Sequence, residues 1–543
     1  AAVGRRLAVS SLAPCPVEFT MAFVDMCSTQ SCGKCTPCRV GLNTLRHRLS
    51  DVLRGRATMA TLDGIERLAR TIYLSSDCAI GYEAGAMALT AIQGFRDDFV
   101  HHVTYHACGF KQSEKVPCVS GCPAGVDIPG YISLVRAGRN TDAVRLIRKD
   151  NPLPMVCGLV CEHPCEMHCR RGMVDDPMNI RAIKRFACEN MESDYRPVMA
   201  EPTGKRVAVV GGGPAGLSCA YYLALLGYSP TVFEKHEQPG GMMMYGIPTY
   251  KLEKDVLQAE VDVIRELGVQ IRCGVEVGRD VTLDQLRDQG YQAFYVAIGC
   301  QGGRRPGVPG DDAEGTDVAV HYLQDSMERG NPPLDGRVVV VGGGNVAVDC
   351  ARNAARRGAA RVTMVSLEGR DEMPATNAEV AETLADGVAV ENGWGPREVL
   401  TTPDGRVRGI VLKRCTQVTD PKTGRFSPLY DEGETRTVEC DSVVFAIGQA
   451  IEWGGLLDGR SVGFHHGDYP KADALTYQTD DPEVFVGGDV LTGPRFVIDA
   501  IAAGHYAAES LHRFVHESAS MTIGRDRHDY QEFDKDDLTI GSY

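Results

Sequence analysis

Over roughly the first two hundred positions, apolar residues recur three and four apart. Beyond residue 205, continuous apolar runs alternate with helical patterns. "RVGLNTLRHRLSDVLRG" (39–55), "LDGIERLARTIYLSS" and "EAGAMALTAIQGFRDDFVHHV" each carry helical spacing, and the first stops at a glycine. Together they predict a small helical bundle. Further on, "KRVAVVGGGPAGLSCAYYLALLGYSPTVFEK" predicts a strand, a glycine turn, a helix and a second strand ending in an acid. "GRVVVVGGGNVAVDCARNAARRGAARVTMVSLE" repeats that unit 131 residues later. "YVAIG" (295–299) and "VVFAIG" (443–448) read as buried strands ending in small-residue turns. "VFVGGDVLTGPRFVIDAIAAGHYAAESL" adds a last strand, then Gly488 and Asp489, then a helix whose first half is rich in small residues.

The glycine turns carry chemistry. Gly211, Gly213 and Gly216 allow a tight turn and close approach of a pyrophosphate to the N-terminus of a helix opened by Pro214 and Ala215. Glu234, at the end of the second strand, can accept bonds from ribose hydroxyls. The repeat places Gly342, Gly344 and Ala347 in the glycine positions, with Asn345 and Val346 opening its helix. A complete strand-turn-helix-strand unit is far more specific than a lone glycine motif, and two units imply two dinucleotides. The expected fold class is multidomain: helical N-terminal domains followed by an α/β tandem Rossmann-like fold.

Composition narrows the class. A chain of 543 residues holds three or four domains, and 24% charged with 43% hydrophobic residues is ordinary for globular protein. A net charge of -15 argues against nucleic acid or an anionic membrane as partner. No apolar run approaches the ~18 residues of a spanning helix. The opening "AAVGRRLAVSSLAP" has neither a signal-peptide core nor an initiator methionine, so an incomplete start is expected. Fourteen of the twenty cysteines fall within the first 188 residues, in short repeated spacings. Clustered thiols in a large chain without a secretion signal read as metal ligands in a reducing cytoplasm.

"SCGKCTPCR" (31–39) sets Cys32, Cys35 and Cys38 at two-residue gaps. That is too tight for the separated ligand pairs of a zinc finger and matches three corners of a four-iron cluster. Buried or free thiols are the alternative. Cys78, on a turn between two predicted helices, is the natural fourth ligand. With Arg39, Gly41 and Gly81, these cysteines make residues 20 to about 103 resemble the C-terminal iron-sulfur domain of the NADH-binding subunit of respiratory complex I. That subunit's flavin-mononucleotide domain would normally precede it, and no counterpart is expected in this chain.

Residues 105–200 hold a second cysteine-rich region: Cys118 and Cys122, then Cys157, Cys161, Cys165 and Cys169 at four-residue intervals. One helix would align the last four, but Pro164 rules against an unbroken helix, and a loop folded round a cluster is expected. "CPAGVDIPGYISLVRAGR…NPLPMVCGLVCEHPCEMHC" resembles the N-terminal domain of the glutamate synthase small subunit. Relatives with that domain include dihydropyrimidine dehydrogenase and the ferredoxin:NADP oxidoreductase large subunit. The resemblance implies two four-iron clusters, yet Cys108 stands alone where the family has a cysteine pair. Lys184 falls near the family's Gln or Glu ligand. The eight cysteines from 108 to 188 just suffice for two clusters, with Cys188 in a sequence that reads as helix.

The C-terminal half is similar to the two-dinucleotide flavoproteins, and most of all to the glutamate synthase small subunit. That similarity implies FAD on the first unit, with Asp489 near its ribityl-phosphate chain. It also implies a nicotinamide domain inserted into the FAD domain, and a stretch 240–256, including Gly241, that passes near the flavin. The expected domains are 1–104, 105–203, an FAD domain of 204–316 and 441–518, a nicotinamide domain of 317–440, and a tail of 519–543. Cys219, Cys300 and Cys350 are isolated, so no disulfide-reductase pair is expected. The expected function is an electron-transfer subunit of a cytoplasmic, multi-subunit oxidoreductase, exchanging hydride between NAD(P)H and FAD and single electrons with two 4Fe-4S clusters, or three. An electron-bifurcating transhydrogenase, a hydrogenase or a formate dehydrogenase complex would be such an assembly. Partners are other redox subunits, with ferredoxin a candidate. The alternatives are the glutamate synthase small subunit itself and a structural subunit without electron flow. In "VSLEGRDEMP", Leu367 and Glu368 stand where the family's paired arginines hold the NADPH phosphate, so NAD(H) is expected over NADP(H).

Overall fold

The computed structural model describes residues 15–105, 116–192, 197–328, 336–465, 468–516, 520–522 and 525. Cys108 and nearly all of the 519–543 tail lie outside the described residues. The chain forms two compact units, one of residues 1–239, 255–297 and 454–543 and the other of 240–254 and 298–453.

In the first unit, helices Pro16–Gln30, Asn43–Leu53, Met59–Ser75, Ala79–Gly94 and Arg96–Tyr105 form the N-terminal bundle. Val17, Val24, Leu45, Leu49, Leu62, Ile65 and Ile72 fill its core. The hydrophobic pattern misses the first helix because its apolar residues run almost all round, leaving no period to detect. It also joins the last two, which Phe95 separates at the end of the fourth helix with non-helical φ −125° and ψ 36°. Gly85 lets two helices touch: a Cβ there would lie 2.8 Å from the Ala69 carbonyl oxygen. Short helices Pro154–Val160, Pro164–Met167 and Ile180–Glu189 follow in the second cysteine region. The expected break at Pro164 is present, with His163 in the left-handed region at φ +42°.

The rest of this unit is a parallel sheet. Its strands are β1 (Arg206–Val210), β2 (Ser229–Glu234), β3 (Gln270–Cys273), β4 (Tyr291–Val296) and, late in the chain, Val484–Val486. The order is β3-β2-β1-β4 and then the late strand, the arrangement of half a doubly wound dinucleotide fold. Val207 to Val210 are buried because helices cover both faces of a parallel sheet. Helix Pro214–Leu225 follows β1 and packs on the long helix Val497–Val515 at Gly504, where a Cβ would collide with the Ala215 carbonyl oxygen and lie 2.8 Å from Ser218 Cβ.

The second unit repeats the plan. Between them, β5 (Gly302–Gly303) and β6 (Thr316–Val318) lead into β7 (Arg337–Val341), β8 (Arg361–Ser366) and β9 (Ala389–Asn392). An antiparallel ladder follows, made of β10 (Trp394–Thr401), β11 (Val407–Thr419) and β12 (Phe426–Val438), and then β13 (Ser442–Phe445). The parallel sheet runs β9-β8-β7-β13-β6, so β13 is the counterpart of β4. This unit extends past the expected 317–440 at both ends, because β13 pairs in register with β7 and β6. It also takes in Gly240–Lys254, where Lys251 Nζ lies 2.6 Å from Asp349 Oδ1 and 2.5 Å from Glu379 Oε1.

Replacing Gly504 by leucine should destabilise the first unit by about 1–3 kcal/mol or more, since backbone atoms cannot yield to the new side chain. Gly504→Ala should cost less. Denaturant unfolding followed by near-ultraviolet circular dichroism would measure both.

Candidate functional site

The two glycine turns are built alike. Gly211 has φ +106° and donates to the Phe233 carbonyl at 2.8 Å; Gly342 has φ +151° and donates to Val365 at 2.8 Å. Ala297 N donates to Val210 in the first unit, and Ala446 N to Val341 in the second. Gly213 caps helix Pro214–Leu225, with Pro214 at its first position, and Gly344 caps helix Asn345–Arg356, with Asn345 and Val346 in its first turn. A Cβ on Gly216 would collide with the Gly211 carbonyl oxygen, so only glycine permits this turn. The backbone therefore leaves a cradle at each helix N-terminus where anionic phosphates are favoured.

Glu234 closes the first cradle. Its Oε2 accepts from Gly212 N at 2.7 Å and its Oε1 from His236 N at 2.9 Å, leaving further lone pairs for hydroxyl groups. Gly488, φ +71°, brings the distant strand end to the same place: its Cβ would sit 2.9 Å from Ala215 Cβ. Asp489 begins the next helical turn, accepts from Arg495 N at 3.1 Å, and is pushed up by burial to about 6. Gly241, φ +53°, caps helix Met242–Tyr245 within the second unit.

Glu368 mirrors Glu234. Its Oε2 lies 2.5 Å from where a Gly343 Cβ would be, and partial burial pushes its carboxyl above the usual range. Leu367 turns away instead, its Cδ2 lying 2.8 Å from the position of a Gly395 Cβ beneath the antiparallel ladder. Of the two residues read against the family's arginines, Glu368 alone sits against the second glycine turn.

The thiols gather in two places. Cys38 lies in a π-helical turn, Pro37–Leu42, a distortion common at functional sites. The Asp77 backbone amide, beside Cys78, and then that of Cys38 hold the Cys35 thiol below its ordinary pKa, whereas burial pushes Cys38 up. Cys78 in turn lies within electrostatic reach of Cys38, and Cys32 and Cys78 are exposed. A Cβ on Gly81 would stand 2.7 Å from Cys38 Sγ, so the helix after Cys78 can approach only as glycine.

In the second region, Cys118 feels Cys169 and Cys122, while Cys165 feels Cys122 and Cys161. Burial pushes Cys118 to about 11 and raises Cys122, Cys157 and Cys165 as well. The His163 amide donates to Cys161 Sγ at 3.4 Å. Cys188 lies on helix Ile180–Glu189, its thiol pushed to about 12 by burial. Among the described residues no three such side chains converge as ligands of one ion. A four-iron cluster has its irons at separate corners and takes one thiol at each, so it does not ask three side chains to converge on one ion.

Glu260 was not legible as a functional residue. It is fully buried, pushed up to about 7 by burial, and both oxygens accept backbone amides of the cysteine-bearing helix Pro154–Val160: Met155 N and Val156 N, each at 2.9 Å. The only signal was its place on the apolar face of helix Lys254–Glu266, between Leu257, Val261 and Ile264. It joins the dinucleotide half of the unit to the cysteine half.

Two dinucleotide-type units in one chain, with cysteine-rich domains ahead of them, define a flavoprotein reductase that also handles single electrons. The chain belongs to the pyridine nucleotide-disulphide oxidoreductase family, whose sequence model matches residues 205–504. Residues 18–102 match the iron-sulfur binding region of NADH-ubiquinone oxidoreductase-F, and 105–195 match dihydropyrimidine dehydrogenase domain II, 4Fe-4S cluster. The chain is 35% identical to the NADP(+)-dependent formate dehydrogenase subunit beta of Moorella thermoacetica, over 94% of this chain and 81% of that one. It is also 35% identical to the NADPH-Fe(3+) oxidoreductase subunit beta of Geobacter sulfurreducens, over 90% and 77%. Against the glutamate synthase [NADPH] small chain of Escherichia coli the identity is 33%, over 73% and 87%. A mutant of FprA from Mycobacterium tuberculosis shares the fold at a TM-score of 0.50 and 19% identity, over 58% of this chain and 85% of that one. The expected family resemblances are thus borne out, and the chain is an NAD(P)H-dependent FAD and iron-sulfur oxidoreductase. Despite the family name, Cys219 and Cys350 are fully buried and raised well above ordinary thiols by burial, and neither is in a disulfide. No described helix is long and apolar enough to cross a membrane.

Glu260→Ala should leave two buried amides without acceptors, at about 1–3 kcal/mol each. Hydrogen exchange at Met155 and Val156 should speed up strongly in the alanine variant and less in Glu260→Gln.

Proposed function

We propose that this chain is the electron-transfer subunit of a hetero-oligomeric complex, with FAD on the first glycine turn, NAD(H) on the second and clusters in both cysteine regions. Bound FAD supplies the exchange between hydride and single electrons. Gly211, Gly213, Pro214, Ala215, Gly216, Glu234, Gly241, Gly488 and Asp489 are assigned to FAD. The first turn presents the N-terminus of helix Pro214–Leu225 to phosphate, and Glu234 faces it with acceptors for the ribose. Gly342, Gly344, Asn345, Val346 and Glu368 are assigned to the nicotinamide nucleotide. Cys32, Cys35, Cys38 and Cys78 are assigned to one four-iron cluster, and Cys118, Cys122, Cys157, Cys161, Cys165 and Cys169 to a second site. The observation that carries the reading is Glu260, which fixes a cysteine-bearing helix directly to the dinucleotide half. Coverage favours a formate dehydrogenase-like or metal-reductase-like assembly over glutamate synthase: relatives of the first kinds align over 90–94% of the chain, and the glutamate synthase chain over 73%.

Gly213→Val should abolish FAD binding while leaving the iron content intact, and NAD(P)H should then no longer bleach the clusters. Normal bleaching in that variant would show that electrons enter elsewhere.

Relatives named for NADP and for NAD both occur, so overall likeness does not choose the nucleotide. Glu368 does. A carboxylate about 4 Å from a phosphate charge costs ~1 kcal/mol in water and ~4 kcal/mol at an effective dielectric near 20. With ~1.4 kcal/mol per factor of ten, NADH should be favoured by one to three orders of magnitude. Glu368→Arg should shrink or reverse that preference. Leu367 is best left in place, because it packs against the antiparallel ladder. Steady-state dye reduction with each nucleotide measures the ratio, and a clear NADPH preference in the unaltered protein refutes the assignment.

A further inference from the structure

Lys184 lies on helix Ile180–Glu189 with only 5% of its surface exposed. A lysine is almost never buried so deeply unless it is paired, because an ammonium loses its hydration there. Yet among the described residues no carboxylate lies within ion-pair distance of Lys184. Glu260 is within electrostatic reach, but both its oxygens are engaged by the Met155 and Val156 amides. Its helix packs on the cysteine-bearing helix Pro154–Val160, with neighbouring Arg181 donating to the Cys161 carbonyl at 3.0 Å, and Cys122, Cys157, Cys161 and Cys165 lie within electrostatic reach of Lys184.

We propose that Lys184 is the fixed counter-charge of the iron-sulfur site in residues 116–192, setting its reduction potential above what the cysteines alone would give. The proposal rests on the assignment of a cluster to this region. A cluster's potential follows its net charge, its hydrogen bonds and its exposure. On reduction the site gains one electron; no bond forms or breaks, and the ammonium keeps its protons. A positive charge already buried beside the sulfurs stabilises that added electron without reorganisation of solvent. Lys184 is in this sense a positioning charge, acting on the cluster and not on substrate.

The test uses the full chain, purified anaerobically, as the unaltered protein and as Lys184→Arg, Lys184→Gln and Lys184→Met. Iron and sulfide are counted, and dithionite titrations are followed by electron paramagnetic resonance. The cluster of Cys32, Cys35, Cys38 and Cys78 serves as an internal reference whose midpoint stays put. Gln and Met should lower the midpoint of the second site by tenfold or more in the one-electron equilibrium constant, about 59 mV. Arg should hold it near the original value. An unchanged midpoint in Gln and Met with full iron overturns the proposal. So does conversion to a three-iron signal, which would make Lys184 a ligand. If the neutral variants hold no cluster, the Arg variant decides, and a fall as large as about 59 mV there overturns it. Iron sufficient for the reference cluster alone in the unaltered protein would instead refute the cluster assignment itself.

Discussion

The first unit depends on one backbone contact, the approach of helix Val497–Val515 to helix Pro214–Leu225 at Gly504. Because no side chain separates them there, the two helices lie close enough for Ser218 Oγ to donate to the Ile501 carbonyl at 2.7 Å. The first helix opens at the first glycine turn, and the second follows the Gly488–Asp489 turn, so both are brought to one cradle. Near its far end Arg513 pairs with Glu509 at 2.8 Å and reaches Glu18 of the N-terminal bundle at 3.6 Å. Displacing that helix would disturb the cradle and loosen the bundle's attachment together.

The second unit shows what the repeated plan conserves physically and what it leaves free to vary. Both sheets place a valine-rich central strand between the same neighbours, and both turns close with matching backbone bonds from Gly211 and Gly342. Past the second strand, Glu234 and Glu368 each bring a carboxylate against a glycine of the turn. These carboxylates sit in loops beyond the strand ends, so their charge can change without altering the fold that presents them.

The cysteine regions solve a different electrostatic problem. The N-terminal thiols are partly exposed, and Cys35 is stabilised as thiolate by backbone amides of Asp77 and Cys38. Those of residues 118–169 are mostly buried, where ionisation is costly, and a buried lysine stands among them.

Sequence alone determined the order of domains, the two glycine turns and the cysteines, because each rests on local spacing: a turn needs its glycines within a few residues, and a cluster motif is a short repeat. It also showed the break at Pro164, since a proline acts on the helix that contains it. Only tertiary structure could show that β13 belongs to the second unit's sheet, that Leu367 faces away from the turn while Glu368 meets it, and that Glu260 holds a helix more than a hundred residues earlier. Each of those depends on which surfaces meet once the chain has folded. Lys184 could be read from the sequence as an odd residue at a ligand position. That it is buried among four cysteines with no carboxylate within ion-pair distance is a fact of packing, because burial is a property of neighbours that lie far apart along the chain.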